Sequence, residues 1–455
     1  MMYRFNKGFI YFICMVSAMG GLLFGYDWVV IGGAKIFYEH FFGIADNALL
    51  IGLATSIALA GCMIGALTAG SLADRYGRKP LLILAAFIFV VSSIGTGAFN
   101  QFGWFLAARF IGGIAIGIAS GLSPMYIAEV APTDIRGKLV TLNQLTIVIG
   151  ILAAQIVNWR IAGTHAEDWN VSMGWRWMFW ATAIPAAAFL VLAFFIPESP
   201  RYRALKNQYD DASKTLERIG GADYARDELF SIQAAQAVDS SSDKGGLKTL
   251  MSKPFHKVLL LGIIIAFFQQ WCGTNVIFNY AQEIFQGAGY DVDNTFINIV
   301  ITGIANLVFT FVALFTVEKL GRRALMLMGA GGLAGIYLIL GGCYFFQVSG
   351  IAMVILCVLA IACYAMTLGP MTWVLISEIF PNRVRAVAVA TCTFFLWIGS
   401  FTLTLSFPLL NKTLGTSGTF WIYSGICIAA FLYFLRALPE TKGKSLEQLE
   451  NELIK

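Results

Sequence analysis

The sequence predicts an all-α membrane protein of twelve transmembrane helices arranged as two six-helix bundles. Three observations carry this prediction. Of 455 residues, 58% are hydrophobic and 13% are charged, whereas soluble domains carry roughly a quarter charged residues. Twelve apolar runs follow one another with short polar breaks, each near the about 20 residues that a helix needs to cross a hydrocarbon core. Finally, a set of charged loops occurs twice, once in each half. Asp74-Arg75-Tyr76-Gly77-Arg78-Lys79 returns as Glu318-Lys319-Leu320-Gly321-Arg322-Arg323, and Glu129-Val130-Ala131-Pro132 with Arg136 returns as Glu378-Ile379-Phe380-Pro381 with Arg385.

The runs lie near 9–37, 48–73, 80–99, 104–128, 138–160, 176–196, 257–285, 296–317, 324–346, 350–376, 386–410 and 418–438. The first has no small-residue cleavage site and is rich in Gly and aromatics, so it reads as a retained span and not as a removable leader. The charged loop at 74–79 separates the second and third runs, and 129–137 separates the fourth and fifth. Pro197-Glu198-Ser199-Pro200-Arg201 closes the sixth and is echoed by Pro439-Glu440-Thr441-Lys442-Gly443 after the twelfth. Within the fourth run, Gly113, Gly117 and Gly121 at a spacing of four mark close helix packing. The expected organisation is a bundle at 1–197, a polar linker at 198–255, a second bundle at 256–438 and a tail at 439–455. Helical runs are expected in the linker at 210–219 and 222–237, with a break at Ser240-Ser241-Ser242.

Lys and Arg set the orientation, because positive residues concentrate in cytoplasmic loops. Arg4, Lys7, Arg75, Arg78, Lys79, Arg136, Lys138, Arg201, Arg203, Lys206, Lys319, Arg322, Arg323, Arg383, Arg385, Lys442 and Lys444 fall on one side of the predicted topology. Both termini are therefore expected in the cytoplasm, with the net charge of +5 facing an anionic leaflet and giving no reason to invoke nucleic acid. All eight cysteines lie in apolar runs without a CxxC pair, which points to packing. No His/Cys cluster has metal-ligand spacing, no nucleophile stands with a base, and the three histidines lie at or beyond span ends. The pattern excludes a metal centre, a bound cofactor and an enzyme.

Taken in order, these motifs, together with Gly174-Trp175-Arg176, resemble the signatures of the sugar porter family of the major facilitator superfamily. The likeness runs from about residue 20 to residue 447. It implies the major facilitator fold, with a substrate held between the halves near the bilayer midplane, acting as a monomer in a bacterial inner membrane. The charged loop residues Asp74, Arg78, Glu129, Arg136, Glu198, Arg201, Glu318, Arg322, Glu378 and Arg385 are expected to form a cytoplasmic gate. Opposite charges at helix ends can pair and cap, and such a network would hold that side shut when the cavity faces outward. The bland alternative is ordinary end-of-helix charge.

Two ionisable residues lie well inside spans, where an unpaired charge costs roughly 2.5 to 3.5 kcal/mol on insertion scales. By the rise of an α-helix, Asp27 stands roughly 27 Å along the first span, and Arg109 roughly 10 Å from the far end of the fourth. The two are expected at one depth. In the family resembled, an Asp with an Arg partner at these positions accompanies proton coupling, whereas passive carriers tend to have Asn. A static ion pair is the alternative.

The resemblance also implies the sugar-binding residues: Phe24, Gln144, Gln269, Gln270, Asn275, Asn306, Trp373 and Trp397. Amides both donate and accept, as hydroxyls require, and aromatic faces cover the C–H surface of a sugar. Six residues turn a regular helix by about 600°, so Gln269, Gln270 and Asn275 converge only if the span bends, and Gly273 is the expected place. Two positions depart from the family, with Asn279 before Tyr280 and Leu396 before Trp397. The expected activity is proton-coupled import of a monosaccharide such as D-xylose or D-glucose by alternating access. A passive carrier and a transporter-like sugar sensor are the alternatives.

Overall fold

The computed structural model describes residues 3–241, 247–381 and 384–442, and among these it contains helices and no strands. The first half supplies α1 (Lys7–Phe42), α2 (Ala48–Tyr76), α3 (Arg78–Ala98), α4 (Phe102–Val130), α5 (Arg136–Thr164) and α6 (Trp175–Ala193). A polar helix, α7 (Tyr209–Ser241), follows. The second half supplies α8 (Lys253–Trp271), α9 (Thr274–Asn279), α10 (Ala281–Gly287), α11 (Val292–Leu320), α12 (Arg322–Phe345), α13 (Ile351–Met366), α14 (Leu368–Glu378) and α15 (Arg385–Ala437).

Several of these elements are fragments of one span. The expected bend falls at Gly273, whose φ of 87° lies in the left-handed region and divides α8 from α9. The tenth span breaks at Thr367, between α13 and α14, just before Pro370, which lacks the N–H that a continuous helix requires. Conversely, α15 holds the eleventh and twelfth spans, folded back at Gly415 with φ 69°. In the linker, α7 is kinked at Gly221 and helical to Ser241. Ser240 and Ser241 are thus helical and not a break, since a serine costs a helix only a few tenths of a kcal/mol, and Ser242 lies outside the described residues.

Small residues let the helices approach. A Cβ on Gly113 would lie 1.9 Å from the Ala58 carbonyl oxygen and one on Gly117 2.3 Å from that of Cys62, so α2 and α4 touch backbone to backbone. Gly121 has open space around it and takes no part in that seam. Between the halves, Gly52 of α2 meets the Leu405 carbonyl of α15, Gly303 of α11 meets Gln155 of α5, and Gly32 of α1 meets the carbonyls of Phe278 and Asn279 on α9.

The duplicated loops fold into duplicated geometry. Gly77 and Gly321 link α2 to α3 and α11 to α12 with φ of 100° and 85°. In each, a Cβ would strike a carboxylate, Glu198 at 2.3 Å and Glu440 at 2.7 Å. Gly77→Ala and Gly321→Ala are each expected to cost about 1–3 kcal/mol, the scale of a strained backbone position, read as a lower unfolding temperature of the purified protein.

Candidate functional site

The carboxylates behind those glycines cap helices. Glu198 accepts from the backbone N–H groups of Arg78 (3.1 Å) and Lys79 (3.2 Å), and Glu440 accepts from those of Arg322 (2.9 Å) and Arg323 (3.1 Å). A negative charge at the free N–H groups of a helix N-terminus is favourable. Burial pushes the Glu198 carboxyl above its ordinary value even though the Ser199, Arg78 and Lys79 N–H groups pull it down. At Glu440 burial acts in the same direction, but four backbone N–H groups outweigh it and hold the carboxyl below the ordinary 4.5. A depressed folded-state value stabilises the fold above the unfolded value and loses that contribution as pH falls through the folded one. Glu440→Gln is therefore expected to lower the unfolding temperature at pH 7, with the difference from wild type shrinking below pH 4.5, as thermal unfolding at a series of pH values will read.

Arg78 of α3 holds Glu129 of α4 at 2.8 Å, and Arg322 of α12 holds Glu378 at the end of α14 at 3.2 Å. Arg136 and Arg385 reach back five residues to the carbonyls of Ala131 and Phe380. Asp74 is exposed and stands 3.4 Å from Arg78, while Arg201 is exposed and has no ion-pair partner among the described residues. The side chain of Glu318 lies outside the described residues. Each of these pairs joins two elements of the same half. Among the described residues the motif stitches helices within each half together, and Glu198 caps α3.

Inside the spans, Arg109 Nη1 donates to Asp27 Oδ1 at 2.7 Å, with Asp27 7% and Arg109 3% exposed. The depth estimated from helical rise was thus sufficient to pair them. The guanidinium also lies 5.4 Å from the centre of the Phe179 ring. A small cavity of about 10 Å³ touches Asp27, Trp28, Arg109 and Asn279.

One turn before Asp27 on α1, Phe24 packs edge-on against Trp28 at 5.5 Å, and both rings touch Trp397 of α15 at 5.8 and 6.0 Å. Across the bend at Gly273 the amides form a chain. Tyr364 OH accepts from Gln269 Nε2 at 2.6 Å, Gln269 Oε1 accepts from Gln270 Nε2, and Gln270 Oε1 accepts from Asn275 Nδ2. The remaining predicted residues are not in that chain. Asn306 is buried on α11, Gln144 is exposed on α5, and Trp373 is 42% exposed on α14. Trp28 and Tyr364 were missed by the sequence reading, as was Gln155, which is 1% exposed on α5 with neither amide atom hydrogen-bonded. A lone polar residue in an apolar run is the only sequence signal any of the last two gives.

This arrangement has an amide array able to meet hydroxyls, aromatic faces for C–H surface, and the buried Asp27 carboxylate one turn along α1 from Phe24. The eight cysteines are free thiols, six of them buried.

A family model described as "Sugar (and other) transporter" matches residues 13–453. The arabinose-proton symporter of Bacillus subtilis (strain 168) is 36% identical over 451 residues, covering 99% of this chain and 96% of that protein. The D-xylose-proton symporter of Escherichia coli (strain K12) is 36% identical over 481 residues, covering 98% and 96%. Among solved structures, the inward open conformation of the xylose transporter XylE from E. coli superimposes with a TM-score of 0.87 at 35% identity, covering 98% of this chain and 100% of that one. With this sequence match and this fold, the chain belongs to the sugar transporter family of the major facilitator superfamily.

Proposed function

We propose that this protein imports a monosaccharide together with a proton across the bacterial inner membrane by alternating access. The observation that carries the reading is the buried Asp27–Arg109 pair, in which Asp27 lies on α1 within one turn of Phe24 and Trp28, the two rings that touch Trp397 of α15. Two of its relatives are named as arabinose-proton and D-xylose-proton symporters, which supports both the sugar and the proton.

Residues 1–197 and 256–438 act as two rocking bundles joined by the linker 198–255, with the tail 439–455. Phe24, Gln144, Gln269, Gln270, Asn275, Asn306, Trp373 and Trp397 contact the sugar. Gln269, Gln270 and Asn275 orient its hydroxyls, and Trp397 covers its apolar face. Asp27 takes the proton. Protonation removes the carboxylate charge that Arg109 pairs with, so α1 and α4 can change packing, and a low-dielectric site makes that loss large. After sugar release, deprotonation restores the ion pair and resets the cycle. The Arg- and Lys-rich ends, both termini among them, face the cytoplasm. There Asp74, Arg78, Glu129, Arg136, Glu198, Arg201, Glu318, Arg322, Glu378 and Arg385 form the moving inner rim, and one chain suffices for transport.

The test is uptake of labelled D-xylose, L-arabinose and D-glucose into proteoliposomes under an inward proton gradient. Saturable accumulation of at least one is the expected result, and no protein-dependent uptake of any would overturn the assignment of a monosaccharide substrate.

A further inference from the structure

At the end of α1 remote from Arg4 and Lys7, Lys35 is 2% exposed and lies between the halves. On its own helix, Glu39 lies 3.1 Å from its ammonium. From the other half, the Glu283 carboxylate of α10 closes on it as an ion pair, and the Tyr280 ring centre lies 4.7 Å away. Next to Glu283, the fully buried Gln282 donates Nε2 to the Gly33 carbonyl at 2.9 Å and accepts from the Ile36 N–H at 3.3 Å. Beyond this cluster opens a cavity of about 450 Å³ that Lys35, Glu39, Glu283, Asp46, Asn411 and Lys412 help to line, with Lys412 reaching the Asp46 carbonyl at 3.4 Å.

We propose that Lys35, Glu283 and Gln282 form a latch between α1 and α10 that sets how often this end of the protein opens. Among the described residues, the latch differs in kind from the other ion pairs inside or at the ends of the spans. Arg109–Asp27, Arg78–Glu129 and Arg322–Glu378 each join elements of one half and survive a separation of the halves, whereas Lys35–Glu283 is severed by it. α10 is suited to moving as a unit: it has seven residues, begins at the break at Tyr280 and is followed by Gly289 at φ 90°. The adjoining cavity supplies water to both charges once they part, so the latch is reversible and not a permanent staple. Gln282 adds direction, since its two hydrogen bonds to the α1 backbone require α10 in one register along α1.

Electron-spin distance measurement on the full chain in lipid nanodiscs tests this without reference to sugar or protons. Labels at Ala45→Cys and Asp293→Cys, both exposed at this end, report the separation of the halves, with the half-buried Cys343 and Cys363 replaced by serine. Wild type should populate mainly the short distance. Lys35→Met should shift the short-to-long ratio about tenfold toward long, the effect expected on removing one member of a largely buried ion pair across an interface. Lys35→Arg should keep the short distance, and the exchange Lys35→Glu with Glu283→Lys should recover part of it. Gln282→Met, which removes no charge, should also shift the ratio and serves if the Lys35 variants fail to fold. An unchanged distribution in folded Lys35→Met or Gln282→Met overturns the latch.

Discussion

Asp27→Asn is expected to leave a protein that exchanges sugar across the membrane but no longer concentrates it. Asparagine keeps the shape and one acceptor oxygen facing Arg109, so the 2.7 Å contact can persist as a neutral-to-charged hydrogen bond. It binds no proton near neutral pH, and the energy of the gradient then has no group through which to act. The substitution also leaves the Arg109 cation, 3% exposed, without its countercharge. An uncompensated charge at that depth costs about 2.5–3.5 kcal/mol on insertion scales, and this raises the energy of any state that seals the pair from water. Accumulation under an imposed proton gradient should fall by at least about tenfold, the change that a pair energy of this order allows. Counterflow of labelled against unlabelled sugar should remain measurable. Retained accumulation would make Asp27–Arg109 a packing pair only.

The second large effect is expected at Gln270. Its amide is the middle of the chain that runs from Tyr364 through Gln269 to Asn275. In Gln270→Ala both neighbours lose a partner at once, and a buried polar group left unsatisfied costs about 1–3 kcal/mol. Sugar affinity should weaken about 5- to 150-fold, the equivalent of that range, as equilibrium binding or the KM of counterflow will show. Gln144→Ala should weaken affinity less, because Gln144 is exposed on α5 and outside the chain, so its loss leaves no buried amide without a partner. If Gln270→Ala binds sugar as wild type does, the amide chain holds the bend at Gly273 and is not a binding surface.

How much of this was legible follows from the range over which each signal acts. Asp27 and Arg109 met at the expected depth because the rise of a helix is constant, so counting residues measures height. The bend at Gly273 was legible because three amides could not otherwise share a face. The match of Gly77 with Gly321 was legible as a repeat, but its consequence was not: the carboxylates that fill the space beside these glycines cap residues 120 and 118 positions away, and no local pattern announces such a partner. Arg136 and Arg385 were expected to find carboxylates and instead hold carbonyls five residues back, because a guanidinium at a helix start lies beside the free carbonyls at the preceding helix end. Tyr364 and Gln155 gave only single polar letters in apolar runs. Lys35 lies near the end of the first run, where a lysine ordinarily reaches for the interface; only the approach of α10 turns it inward.

The most direct test of the central claim is the pH of a lightly buffered suspension of proteoliposomes, without an imposed gradient, when sugar is added outside. If sugar and proton enter together, D-xylose or whichever pentose or hexose proves to be carried raises the external pH transiently, and Asp27→Asn abolishes the signal. Sugar entry by wild type with no accompanying pH change would contradict coupling and leave a passive carrier.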